Sequence, residues 1–162
     1  MGWDVSFGLG RRGLLGHPSR NVWLGAITRQ VKQRGSTRMF SHIMVGAKNI
    51  DASKRFYDAV LGAIGVKPGF VDRHRVFWRS PTGTFAASLP IDGEPVSHAN
   101  GGTVGFTCES PEAADAWHAA GVANGGETCE EPPGWREGPM GKLYLAYLRD
   151  PAGNKICGLH RG

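Results

Sequence analysis

Ser41-His42-Ile43-Met44-Val45-Gly46-Ala47 and Gly102-Thr103-Val104-Gly105-Phe106-Thr107 decide how this chain folds, because they open two copies of one pattern. Each is a short strand-like run that leads directly into a helical stretch. The first passes through Lys48-Asn49-Ile50 to Ala52, Phe56, Ala59, Val60 and Ala63, which fall on one helical face. The second lies sixty-one positions further on. There Ser110-Pro111 suits an N-cap and first helical residue, and Ala113, Trp117 and Ala120 form the apolar face. Phe56 and Trp117 occupy matching places in the two copies.

A second pair of segments repeats at an offset of seventy. Arg79-Ser80-Pro81-Thr82-Gly83 lines up with Arg149-Asp150-Pro151-Ala152-Gly153, each a Pro/Gly turn entered from an aromatic-rich strand. Further strands follow, Thr84 to Leu89 in one half and Asn154 to Leu159 in the other. Each half therefore reads as strand, helix, then about three strands, with the loop Pro90 to Gly101 between them. The expected fold class is α+β. The repeat gives two modules of that order, about 39–91 and about 101–162.

Residues 39–162 resemble the vicinal-oxygen-chelate superfamily, the glyoxalase, bleomycin-resistance and dioxygenase group. The opening strand with His42, the helix start Asp51-Ala52-Ser53-Lys54-Arg55-Phe56-Tyr57 and the closing Leu148 to Ile156 with its Asp150-Pro151-Ala152-Gly153-Asn154 turn carry the resemblance. It implies paired βαβββ modules forming a curled mixed sheet around a cleft, with the helices on the outside, a small-molecule ligand and, in many members, a homodimer. In metal-using relatives a divalent ion is held from the first and last strands of each module. The positions implied here are His42, Thr103, Ala87 and Cys157. Ala87 cannot ligate, Thr103 would do so weakly, and none of the four is a carboxylate, so an intact metal site is disfavoured. His42 and Cys157 remain the two weak metal candidates, and His42 the candidate catalytic residue.

The resemblance leaves two readings. One is a binding protein that holds a small molecule without a metal ion. The other is a metal-dependent lyase, isomerase or dioxygenase acting on an oxygen-rich or thiol-conjugated substrate. Trp78, Thr103, Trp135, Tyr144 and Tyr147 are the expected cleft and substrate residues, although aromatic residues on strands also commonly build core. Alternation puts His42 with Met44 on one strand face and Ile43 with Val45 on the other, so His42 should meet the cleft. Cys157 shares a face with Lys155 and Leu159 and reads as a small buried hydrophobe. His74, His98, His118 and His160 are expected to be solvent-exposed. The segment Glu130 to Gly141, rich in Pro and Gly, is expected to be a long mobile loop acting as lid or cleft wall.

The formal charge of +5 is distributed unevenly. Residues 1–38 hold seven Lys/Arg against Asp4 alone, leaving 12 basic and 13 acidic residues from Met39 onward. The globular part thus has no excess of the kind that binds phosphates, and a nucleic-acid partner is not expected. Residues 1–38 read as a basic leader, either an organelle transit peptide or sequence upstream of a start at Met39. Cys108, Cys129 and Cys157 form no CxxC pair, which fits a reducing, cytoplasmic setting, or an organelle if the leader is a transit peptide. No apolar run approaches the roughly 20 residues that cross a bilayer, so no membrane association is expected.

Overall fold

The computed structural model describes residues 39–139 and 141–162; the leader expected over 1–38 lies outside the described residues. Module one comprises β1 (His42–Gly46), α1 (Ile50–Gly62), β2 (Phe70–Asp72), β3 (Arg75–Ser80) and β4 (Gly83–Ser88). Module two comprises β5 (Val104–Thr107), α2 (Pro111–Ala123), β6 (Glu127–Thr128), β7 (Gly134–Gly138), β8 (Gly141–Arg149) and β9 (Lys155–Arg161). Both helices begin at a side-chain cap. Asn49 accepts from Ala52 N at 2.9 Å, and Ser110 accepts from Ala113 N at 3.2 Å with Pro111 behind it.

The strands form two mixed sheets with matching order, β1-β4-β3-β2 and β5-β9-β8-β6. In each, the first strand runs parallel to the last, β1 to β4 and β5 to β9, and the remaining neighbours are antiparallel. This is the α+β, two-module architecture expected from the repeat. Val45, Val76, Trp78, Phe85 and Ala87 face α1, while Val104, Phe106, Ala146, Leu148 and Ile156 face α2. The two layers meet in one core, with Phe85 of β4 edge-on to Phe106 of β5 at 5.2 Å. At Gly121 the helices come close: a Cβ there would lie 2.3 Å from Leu148 Cδ1 and 3.0 Å from Val60 Cγ1.

The Asp150 to Asn154 turn ties the modules together. Buried Asp150 accepts from Tyr57 Oη on α1 at 2.7 Å, from Asn154 Nδ2 at 2.8 Å, and from the backbone N–H groups of Ala152 and Asn154. Asn154 Nδ2 also donates to Gly46 O on β1 at 2.8 Å. Burial, followed by the Asp150 charge, holds the Tyr57 hydroxyl well above its usual range, so it stays a donor.

Two expectations change here. The segment Glu130 to Gly141 is not a loop throughout, because β7 pairs with β8 from Gly134↔Leu145 to Gly138↔Gly141. Together β6 and β7 cover one edge of β8, interrupted where Pro132 and Pro133 have no N–H to offer a ladder. The second change concerns the last strands. The offset of seventy holds before the Pro/Gly turns, but the second turn is one residue longer, with Arg149↔Lys155 standing where Arg79↔Thr84 does. Beyond the turn the offset is therefore seventy-one, and a one-residue slip turns a side chain to the other face. Ala87 is buried on the core face beside Val45 and Val76, and Ala86 is the residue equivalent to Cys157.

Candidate functional site

Each sheet has one face on the core and one turned away from the helices. On that outer face β1 presents His42 and Met44, β4 presents Thr84, Ala86 and Ser88, and β3 presents Arg75, Phe77 and Arg79. In module two the outer face carries Cys157 opposite Tyr147 and Gly105, and Leu145 opposite Leu159. A cavity of about 450 Å³ lies over Leu145 and Tyr147, bordered by Glu130, Glu131 and Arg136.

His42 is exposed, and its Nδ1 lies 3.0 Å from Ser41 Oγ. Thr103 is exposed, one residue ahead of β5. Cys157 is buried, its thiol within 3.5 Å of Gly158 O, and burial pushes that thiol up to about 11. At neutral pH it is therefore an uncharged thiol rather than a nucleophile or ready ligand. Burial, then the neighbouring Cys157 and Glu130, also raises the Tyr147 hydroxyl. The charges bordering the cavity are already paired. Lys155 forms an ion pair with Glu130 and lies 4.9 Å from the centroid of the Tyr147 ring, and Arg136 Nε is 3.0 Å from Glu131.

The structure brings Tyr147, Thr103 and Cys157 towards one outer face but sends three expected cleft residues elsewhere. Trp78 is buried against α1, donating to Asp58 Oδ1 at 2.8 Å. Tyr144 donates to Asp115 on α2 at 2.7 Å, and Trp135 packs edge-on to it at 5.5 Å, so both lie on the helix side of their sheet. Of the four histidines expected at the surface, His98 is exposed while His74, His118 and His160 are half-buried. His160 Nδ1 lies 3.2 Å from Cys108 O, and burial lowers the pKa of His118. Arg75, Phe77, Arg79 and Phe70 were not singled out from sequence. The signal was the alternation Arg75-Val76-Phe77-Trp78-Arg79, which separates the two arginines and Phe77 from the two core residues.

A divalent ion needs three or four protein ligands. The residues at the four aligned positions, with the register corrected, are His42, Thr103, Ala86 and Cys157, and they do not fit one. Glu130, a carboxylate whose charge acts on Cys157, is held by Lys155. Among the described residues no group of three or more His, Cys, Asp and Glu side chains could hold a metal.

Comparison with known proteins agrees with this architecture. The family described as the Glyoxalase/Bleomycin resistance protein/Dioxygenase superfamily matches residues 39–157. A glyoxalase/bleomycin resistance protein from Albidiferax ferrireducens T118 is 63% identical, with 76% of this chain and 99% of that one covered and a TM-score of 0.74. At 20% identity, a glyoxalase-related enzyme from Fulvimarina pelagi shares the fold with a TM-score of 0.60, over 75% of this chain and 87% of that one. Lactoylglutathione lyase from Agrobacterium tumefaciens, also 20% identical, does so with a TM-score of 0.53, over 74% and 91%. No curated protein matches the chain. Repeat, register, turn and comparison converge: the chain belongs to the glyoxalase/bleomycin resistance protein/dioxygenase superfamily.

Proposed function

We propose that this domain binds a small organic molecule on the outer faces of its sheets without a resident metal ion. The observation that carries the reading is the donor set, His42, Thr103, Ala86 and Cys157, which offers no carboxylate and one thiol held neutral by burial. Lactoylglutathione lyase activity belongs to the Agrobacterium relative, and at 20% identity only its fold is shared. The metal-dependent reading, a lyase, isomerase or dioxygenase, keeps one supporting feature, the exposed His42 imidazole at the family's first-strand position.

A homodimer in the cytoplasm is part of the same proposal. Met39, Phe40 and Ile43 expose apolar surface beside β1, an edge strand that a second copy of this chain could cover. No helix among the described residues is long and apolar enough to cross a membrane.

The test is a ligand-observed NMR titration of the full chain with 2-naphthamide, a flat neutral probe, with and without EDTA. Saturable binding that changes less than about twofold with chelator is expected, since no metal bridges protein and ligand. Binding abolished by EDTA and restored by Mn²⁺ or Zn²⁺ would favour the metal-dependent reading. Sedimentation of the same samples reads the dimer, and a monomer mass would remove it.

A further inference from the structure

The linker between β4 and β5 leaves the first sheet and returns to the body of the domain at two close contacts. A Cβ on Gly46 would lie 2.2 Å from Val96 Cγ2, and one on Gly153 would lie 3.1 Å from His98 Nδ1. At the start of the linker Leu89 N donates to His74 O at 3.0 Å, next to the bond from Ala47 N to Ser88 O at 2.8 Å. Residues 90–95 thus form an arch held at both feet. Pro90 and Pro95 restrict its backbone, and Asp92 Oδ1 closes its crown by accepting from Glu94 N at 3.1 Å.

The arch bounds a cavity of about 420 Å³, a volume typical of small-molecule sites. It shares no lining residue with the cavity over Leu145 and Tyr147. Buried Ala47 and half-buried Leu89 and Val96 give it apolar walls. Two exposed charged residues also line it, Lys48 and Glu94. They carry opposite charges, yet among the described residues neither forms an ion pair within 4.0 Å, with the other or with any third group. A cavity that sets an unpaired cation and an unpaired anion around apolar walls complements a molecule carrying both charges and an apolar group. A singly charged ligand would leave one of the two unanswered.

We infer that the arch binds a zwitterionic amino acid with an aliphatic side chain. Its carboxylate pairs with Lys48, its ammonium with Glu94, and its side chain packs on Ala47, Leu89 and Val96. This site is separate from the outer-face binding proposed above and does not rest on it.

The test is a ligand-observed NMR titration of the full chain with L-leucine, leucinamide, N-acetylleucine and glycine, which lack in turn nothing, the carboxylate, the ammonium and the side chain. Leucine should saturate the protein and bind about threefold to fivefold tighter than leucinamide or N-acetylleucine, the size of one exposed ion pair. Glycine should bind about tenfold more weakly than leucine, for want of apolar surface to bury. Lys48→Gln should remove the advantage of leucine over leucinamide, and Glu94→Gln its advantage over N-acetylleucine. Lys48→Arg should keep both. The substituted side chains are exposed, so each variant should melt with the parent. Equal binding of leucine and its two singly charged analogues would overturn the zwitterion class, and advantages that survive both Gln substitutions would overturn the roles of Lys48 and Glu94. Failure of leucine to saturate would overturn the site itself. Binding of 2-naphthamide should be unchanged by either substitution and by excess leucine, and its displacement by leucine would overturn the separateness of the two sites.

Discussion

Asp150→Ala should lower the free energy of unfolding by about 3–5 kcal/mol, because removing one partner of a buried charged network strands the others. All four contacts of this carboxylate are donors: Tyr57 Oη, Asn154 Nδ2 and two backbone N–H groups, at 2.7 to 2.9 Å. Asp150→Asn should therefore also be costly despite its matching shape, at about 2–3 kcal/mol, since each oxygen accepts from two of those donors and its amide NH₂ must face one such pair. Tyr57→Phe removes one donor and leaves the other three satisfied, for a cost of about 1–2 kcal/mol. Denaturant unfolding of the three variants reads the order directly. An Asp150→Asn protein as stable as the parent would show that the turn does not tie module two to α1.

Trp117→Ala should cost a similar amount, about 3–5 kcal/mol, by the loss of a large buried ring and the cavity it leaves. Trp117 is fully buried beside Phe106, with ring centroids 6.3 Å apart, and lies directly on β9, where a Cβ on Gly158 would come within 2.9 Å of its ring. Its indole Nε1 is buried without a hydrogen-bond partner among the described residues, so the N–H supplies no bond and carries the cost of an unmet donor, which phenylalanine does not have. Trp117→Phe should consequently lose only the packing of the smaller ring, about 1–2 kcal/mol. Equal losses for the two variants in denaturant unfolding would mean that the indole N–H has a partner.

These two residues also show how far the fold was legible in the chain. Phe56 and Trp117 repeat at matching places because each helix must bury one large ring against its sheet, and periodicity reports that directly. The Asp150-Pro151-Ala152-Gly153-Asn154 turn was visible as a motif, but its role in joining β1 to α1 depends on contacts more than ninety residues apart. Position on the outer face was harder to read. Ala87 and Ala86 differ by one residue, and the extra residue in the second turn moved the correspondence between modules by one. Alternation with Val76 places Trp78 on the core side, but the bonds by which its indole and the Tyr144 hydroxyl reach Asp58 and Asp115 on the helices are partners that strand alternation does not reveal. β7 escaped notice because prolines precede it and glycines bound it, whereas the long ladder of β8 supplies its pairing.

Metal analysis of the full chain purified without chelator decides between the proposed metal-free binding and the metal-dependent reading. His42, Thr103, Ala86 and Cys157 supply no carboxylate, so hard ions would be held mainly by water and bind weakly. Well under one equivalent of Mn²⁺, Fe²⁺ or Ni²⁺ per chain is expected. Added metal should scarcely move the melting temperature, because stabilisation follows the logarithm of metal concentration over dissociation constant. One equivalent of metal retained through dialysis by the parent, and lost in His42→Ala, would rule out metal-free binding and restore the metal-dependent enzyme.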